Sequence, residues 1–310
     1  MLDVRRLRLL RELAYRGTIA AVAEALTFTP SAVSQQLAAL EREAGVALLE
    51  RTGRRVVLTP AGVALVRHAE AVLERLEQAA AELAAARTDL SGTNLAGTLR
   101  IGAFPTATRA ILPSALAALA QSHPGLDPMV DEVDPAEVAP RLRAGELDVA
   151  LVHEYDFVPA EPDLALDAVP LLDEPMYLAT MHNVSGEGDA ATLLTCRDAP
   201  WIASTPGTLC HAMTVRACQA AGFSPRVRHH IDDFATVLAM VAVGQGVALV
   251  PELGAADPPE GVTLTALSMR RRTRVAFRRG AGGHPAVVAL IAALRIATPG
   301  FRTPGFRTPG

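Results

Sequence analysis

From Thr18 to Leu40 the chain reads Thr-Ile-Ala-Ala-Val-Ala-Glu-Ala-Leu-Thr-Phe-Thr-Pro-Ser-Ala-Val-Ser-Gln-Gln-Leu-Ala-Ala-Leu. The pattern predicts two helices joined by a tight turn. Thr18 caps the first, whose apolar stripe is Ala21, Val22, Ala25 and Leu26. Thr27 and Phe28 turn the chain, Thr29 supplies a second N-cap, and Pro30 stands at the first helical position, where a missing N–H costs nothing. Val33, Leu37 and Leu40 recur at helical spacing and form the buried face. Ser31, Ser34, Gln35 and Ala38 share another face that is short, polar and uncharged. A solvated face usually carries Glu and Arg; Ser and Gln instead let a helix enter a major groove and bond base edges or phosphates.

Gly17-Thr18, Ala23-Glu24, Leu26, Ala32-Val33-Ser34, Gln36, Leu40-Glu41, Gly45, Leu48, Arg51, Arg55, Leu58-Thr59 and Gly62 resemble, in type and spacing, the N-terminal signature of LysR-type transcriptional regulators. Gln35 stands where many members carry Arg, and Leu49 where many carry Phe. The resemblance implies a multi-domain chain: an N-terminal, mainly α winged helix-turn-helix over 1–59, a dimerisation helix over 60–90, and a C-terminal α/β effector-binding domain over 91–297. That last domain would have the fold of periplasmic solute-binding proteins, with one subdomain at about 97–165 plus 270–297 and a second at about 166–269. It further implies a homodimer or homotetramer on double-stranded DNA, at an interrupted palindromic operator, responding to a small-molecule effector.

Charge agrees with such a reading head. The chain is formally −4, yet residues 1–60 sum to +3 and the remainder to −7. Positive charge is concentrated where phosphate neutralisation needs it. Every basic residue of the Lys-plus-Arg count is Arg. The charged start Met-Leu-Asp-Val-Arg-Arg does not read as a signal peptide, and no apolar run reaches the roughly 18 residues of a membrane span. Three Cys fit a reducing cytoplasm without a disulfide framework.

Further along, residues 4–16 form an amphipathic helix with Leu7, Leu10 and Leu13 inward. Val46–Leu49 and Val56–Leu58 flank Arg51-Thr-Gly-Arg-Arg55, a β-hairpin wing with Arg51, Arg54 and Arg55 available to phosphates. From Thr59-Pro60 to about Arg87 runs one long helix, in which Val66, Ala69, Leu73, Leu76, Ala80 and Leu83 alternate spacings of three and four, the seam of helices pairing along their length. Thr88–Gly97 is a turn-rich linker. Beyond it, strands at 98–103, 148–152, 176–180, 247–250 and 274–277 alternate with helices at 109–121, 209–221, 234–243 and 285–297, which implies mainly parallel sheets. Residues 298–310 repeat Thr-Pro-Gly-Phe-Arg and cannot build a core, so a disordered tail is expected.

In paired α/β subdomains a ligand sits between the halves, at the carboxyl ends of strands. Pro105, Thr106 and Thr108 open a helix and suit a carboxylate or another anion. Ser204 and Thr205 face them from the second half, with Tyr155 and Phe234 as flat walls. Ordinary helix capping would use the same hydroxyls. Cys210 and Cys218 raise thiol redox sensing as an alternative, since peroxide-sensing members of the family place a reactive pair here. The spacing is one residue shorter, Leu209 falls where the first Cys belongs, and eight helical residues separate the thiols by about 12 Å. The His211 and His229-His230 pattern lacks standard metal-ligand spacing. No Gly-x-Ser-x-Gly, phosphate-cradling loop or His-Glu-x-x-His is present, so the expectation is neither an enzyme nor a cofactor or metal protein. A cytoplasmic small-molecule binding protein is a lesser alternative that would leave the N-terminal 60 residues unexplained.

Overall fold

The computed structural model describes residues 1–52, 55–88, 95–159, 162–184 and 186–298. Three short helices begin the chain: α1 Val4–Arg16, α2 Ile19–Ala25 and α3 Pro30–Ala44. Each starts on the expected chemistry. The Asp3 carboxylate accepts from the Arg5 and Arg6 amides, the Thr18 hydroxyl from Ala21 N–H, and the Thr29 hydroxyl from Ala32 N–H. Leu10, Val22, Val33, Leu37 and Leu40 close the core between them. Thr27 takes the left-handed conformation at the turn, at φ 57°.

The wing forms from β1 Leu49–Thr52 and β2 Arg55–Leu58, paired antiparallel from Leu49 opposite Leu58 to Thr52 opposite Arg55. It starts at Leu49 rather than Val46, because the Leu48 and Leu49 amides donate to Glu41 Oε1 and tie that segment to α3. The expected tip contact Arg54, and the side chain of Arg55, lie outside the described residues. Gly62 allows the next helix its approach: a Cβ there would stand 2.2 Å from the Leu48 carbonyl oxygen.

That helix, α4 Pro60–Thr88, runs 29 residues, or about 44 Å at 1.5 Å per residue. The expected seam divides along it. Ala69 is 0% exposed and packs, with Val66, into the core of the helix-turn-helix, so these two residues are occupied within their own chain. Leu73 is half-buried against charged groups of α1 and the C-terminal domain. Leu76 at 48% and Leu83 at 68% exposure, with Ala80 and Val72, leave an apolar stripe open to solvent along the distal half. Leu76→Glu with Leu83→Glu should therefore convert the assembled protein to monomers while leaving the fold intact; sedimentation that still finds the native assembly would move the interface off this helix.

The C-terminal part contains β3 Ala96–Ala103, α5 Pro105–Ala110, α6 Leu112–Ser122, β4 Gly125–Glu132, α7 Pro135–Ala144, β5 Val149–Tyr155, β6 Leu166–Thr180, α8 Asp189–Leu194, β7 Pro200–Ala203, α9 Leu209–Ala220, β8 Arg226–His230, α10 Phe234–Ala242, β9 Ala248–Pro251, β10 Thr263–Arg278 and α11 Pro285–Ala297. Six strands form one sheet in the order β4-β3-β5-β10-β6-β9, and β7 pairs β8 in a small parallel sheet. Only the β4-β3-β5 portion is parallel; β10 runs antiparallel to β5 and β6, and β6 to β9. The large sheet is mixed rather than mainly parallel because the chain crosses its full length twice, in opposite directions, on β6 and β10.

Those two strands serve two cores. Leu171 and Leu172 of β6 and Val275 and Phe277 of β10 pack with Ile101, Leu112 and Leu290. Met176 and Leu178, with Leu267 and Met269, pack instead with Trp201, Cys218 and Leu249. Both strands are longer than expected, because their middles are charged. Cross-strand pairing neutralises that charge: Arg270 with Asp173, Arg271 with Glu174, Arg272 with Asp156. The helix expected over 109–121 is two helices that break at Ile111, since Pro113 has no N–H to bond back to Arg109. The linker is shorter than expected, with β3 starting at Ala96, and Thr298 belongs to the fold: it is buried and its hydroxyl donates to the Leu294 carbonyl. Residues 299–310, the rest of the expected tail, lie outside the described residues. No helix among the described residues is long and apolar enough to cross a membrane.

Candidate DNA-reading face and effector cleft

Capping by Thr29 and Pro30 sets the start of α3, and burial of Val33, Leu37 and Leu40 sets its rotation. Thr29, Pro30, Ser31, Ser34 and Gln35 are thereby all exposed at one end of the helix. The structure distinguishes them further. Ser31 Oγ lies 3.1 Å from Thr29 Oγ1, so these two hydroxyls partner each other. Gln36 accepts from Arg6 Nε at 2.9 Å, and Arg6 also meets Glu43, which locks Gln36 to α1. The Gln35 side chain has no hydrogen-bond partner among the described residues, and its amide is presented to solvent. Arg51 is exposed on β1.

In the C-terminal part a cleft of about 260 Å³ lies where the crossing strands change cores. Pro105 and Thr106 line one side, Ser204, Thr208 and Phe234 the other, with Arg271 and His153 at the floor and Asp134 and Arg109 towards the mouth. Pro105, Thr106, Ser204 and Phe234 are thus brought together as the sequence predicts. Three expected residues are placed elsewhere. Thr108 donates its hydroxyl to the Phe104 carbonyl one turn back. Thr205 donates both its amide and its hydroxyl to Asp232. Tyr155 is fully buried behind His153, with its hydroxyl 3.0 Å from Cys210 Sγ.

The residue that sequence reasoning missed is Arg271. It is 1% exposed; its Nε donates to Glu174 Oε1 at 2.7 Å and its Nη1 to Thr106 Oγ1 at 3.2 Å, while its Nη2 has no hydrogen-bond partner among the described residues. The Phe104 ring lies 5.1 Å from the guanidinium carbon. Glu174, 0% exposed, also accepts from the Leu253 amide. Beside them His153 Nδ1 is buried without a hydrogen-bond partner among the described residues. Burial, and then the Arg271 charge, hold His153 well below its usual pKa, so the imidazole is neutral. The signal available in the sequence was a three-arginine run, Arg270–Arg272, inside a strand whose neighbours are apolar.

Both thiols of α9 are protonated. Burial raises Cys210, and burial pushes Cys218 up to about 12. Cys210 lines the cleft, 4.0 Å from His153 Nε2, whereas Cys218 sits in the Trp201 core. A redox sensor reacts as thiolate, which these surroundings disfavour.

Comparison with known proteins bears on both sites. Residues 4–63 match the bacterial regulatory helix-turn-helix protein family of the lysR type, and residues 92–298 match the LysR substrate binding domain. The chain is 34% identical over 250 residues to a probable hydrogen peroxide-inducible genes activator of Mycobacterium avium, covering 79% of this chain and 76% of that one. It is 30% identical over 263 residues to the DNA-binding transcriptional dual regulator OxyR of Escherichia coli, covering 84% and 81%. Among solved structures, a cysteine mutant of OxyR from Corynebacterium glutamicum superimposes with a TM-score of 0.57 at 25% identity, over 97% of this chain and 92% of that one. With a capped reading helix and wing at one end and a paired-core α/β domain at the other, each matched to its own family, the chain belongs to the LysR family of DNA-binding transcriptional regulators.

Proposed function

We propose that residues 1–59 dock on duplex DNA, with the start of α3 in the major groove and the wing on phosphates, and that a small anion in the cleft modulates this binding. On this reading α4 pairs with a second copy through Leu76, Ala80 and Leu83. The effector-binding unit spans 91–297, with its halves at about 97–165 plus 270–297 and 166–269; support comes from the change of core at the middle of β6 and β10. A helix N-terminus with no acidic residue in its first turn, exposing Ser34 and Gln35, supports groove entry. A neutral histidine and a protonated thiol in the cleft favour binding over turnover. The protein would act in the cytoplasm.

The observation that carries the effector reading is the unpartnered, buried Nη2 of Arg271 beside Thr106. A buried donor left unsatisfied costs about 1–3 kcal/mol, which an incoming carboxylate or comparable oxygen would recover. The test is a thermal-shift screen of small mono- and dicarboxylates on the full chain, since a ligand of the folded state raises the transition. At one hundred times its Kd a true effector adds about 2.7 kcal/mol, and Ser204→Ala should weaken the response. No shift with any anion, where neutral metabolites do shift, would overturn the anionic assignment.

A second reading rests on Cys210, which lies in the cleft of a chain related to peroxide-inducible activators. The protonated thiol predicts that brief micromolar peroxide leaves DNA affinity unchanged. A peroxide-dependent change that Cys210→Ser abolishes would restore the redox alternative.

A further inference from the structure

Helix α7 joins the effector cleft to the DNA-binding domain. Asp134, its N-cap, and Pro135, its first residue, line the cleft mouth. Its other end lies against α1. A helix of ten residues spans about 15 Å, the distance from one end of this link to the other.

The last carbonyls of a helix have no partners within it, and here their partners come partly from another domain. The Arg141 and Leu142 carbonyls accept from the local turn at Gly145 and Glu146, and Leu142 also from Arg278. The Arg143 carbonyl accepts from Arg8 Nη2 at 3.2 Å and Arg11 Nη2 at 3.2 Å, and the Ala144 carbonyl from Arg8. Arg16 Nη2 reaches the Pro140 carbonyl at 3.4 Å. Three arginines of α1, spaced along one face, therefore close the C-terminus of α7, where the helix dipole favours cations.

A charge cluster surrounds this contact. Glu12, 0% exposed, meets Arg11, Arg16 and Arg143. Arg143 also meets Asp163 and lies 4.0 Å from the centre of the Tyr15 ring. Arg11 faces Glu70 of α4 at 3.8 Å. Three guanidinium groups balance three carboxylates; Glu12, Arg11 and Arg143 are buried at the centre, and Arg16, Glu70 and Asp163 are half-buried at the edge. Such clusters add little net stability over apolar packing, but losing one partner strands the others. The contact is therefore held whole or released whole, which suits a two-state element.

We propose that α7 is the link through which the effector cleft and the DNA-reading head sense each other: the cleft sets its N-terminal end and α1 clamps its C-terminal end. Movement of the cleft wall is delivered to α1, and release of α1 uncaps α7. The idea rests on the proposed cleft for its first half only; the clamp stands on the contacts themselves.

The test is a double-mutant cycle on the full chain. Asp134→Ala removes the cap at the cleft end, and Arg8→Ala removes donors at the head end; neither residue is on the DNA-reading face. The readout is the Kd for a duplex that the wild-type chain selects from a random pool. Coupled sites give non-additive effects, here at least fivefold in Kd. Effects that multiply to within less than fivefold of the double variant, including two silent single variants, would overturn the link. Hydrogen exchange on the same proteins guards against misfolding. Arg8→Ala should speed exchange of the Gly145–Leu147 amides at least tenfold while leaving the Trp201 core unchanged. Unchanged exchange at 145–147, or an equal rise throughout the domain, would overturn the clamp whether or not any effector is known. Arg8→Lys, which keeps the charge without the fork, should fall between wild type and Arg8→Ala.

Discussion

Replacing Glu174 by alanine is expected to destabilise the protein by about 3–5 kcal/mol, the cost of breaking a buried ion pair by removing one partner. The neighbours explain why the high cost applies. Glu174 takes a hydrogen bond from Arg271 Nε and another from the Leu253 amide, both at 2.7 Å, and no solvent reaches it. Without it Arg271 keeps its charge in a site walled by Phe104 and His153, with only the neutral hydroxyls of Thr106 and Tyr155 near it among the described residues. Since each kcal/mol moves the transition of a 150–250-residue domain by about 2–4 °C, the melting temperature should fall by about 10 °C. The double variant Glu174→Met with Arg271→Met should recover most of that loss, because an apolar pair of similar volume replaces the buried charges. It should also abolish any anion-induced thermal shift. Urea unfolding checks both. A loss below about 1 kcal/mol for Glu174→Ala, within the range of an exposed pair, would mean that Arg271 is hydrated or re-paired.

Gln35→Ala should weaken binding to the preferred operator by about 1–3 kcal/mol, the value of one bidentate base contact, and relax the preference at one symmetric pair of positions. Gln35 is the sole amide among the candidate contacts, and an amide pairs in two places with adenine. Ser34→Ala should weaken binding with less change in preference. The structure sharpens the contrast with Gln36, whose amide oxygen is held by Arg6. Gln36→Ala should act through the α1–α3 contact and leave the recovered motif as in wild type. Selection of duplexes from a random pool with each variant decides the matter. Identical motifs from wild type and Gln35→Ala would remove Gln35 from readout and pass it to the wing or to DNA shape.

Much of what has its cause within one or two turns of chain is legible in the residues alone; the break at Ile111 before Pro113 and the Thr108 hydroxyl bond to Phe104 are local too, and were not read there. Thr18, Thr29 and Pro30 fix helix starts through hydroxyls and a missing N–H a few bonds away, and the observed caps are those. Val33, Leu37 and Leu40 fix the rotation of α3, and so the reading face, by helical spacing alone. The length of α4 and the bounds of α11 follow from uninterrupted periodicity. The tertiary structure decided what depends on distant partners. Arg271 reads as a surface cation until Glu174, 97 residues away, is seen to neutralise it. Ala69 fits a seam by spacing, yet the helix-turn-helix core claims it. Thr205 has the right chemistry for a ligand, and Asp232, 27 residues away in sequence, takes its hydroxyl first. Arg8, Arg11 and Arg16 look like part of a basic DNA-binding surface, and instead they cap α7 about 130 residues on. A charged side chain goes wherever its desolvation is best compensated, and in this chain that place is set by the meeting of β6 with β10 and of α1 with α7.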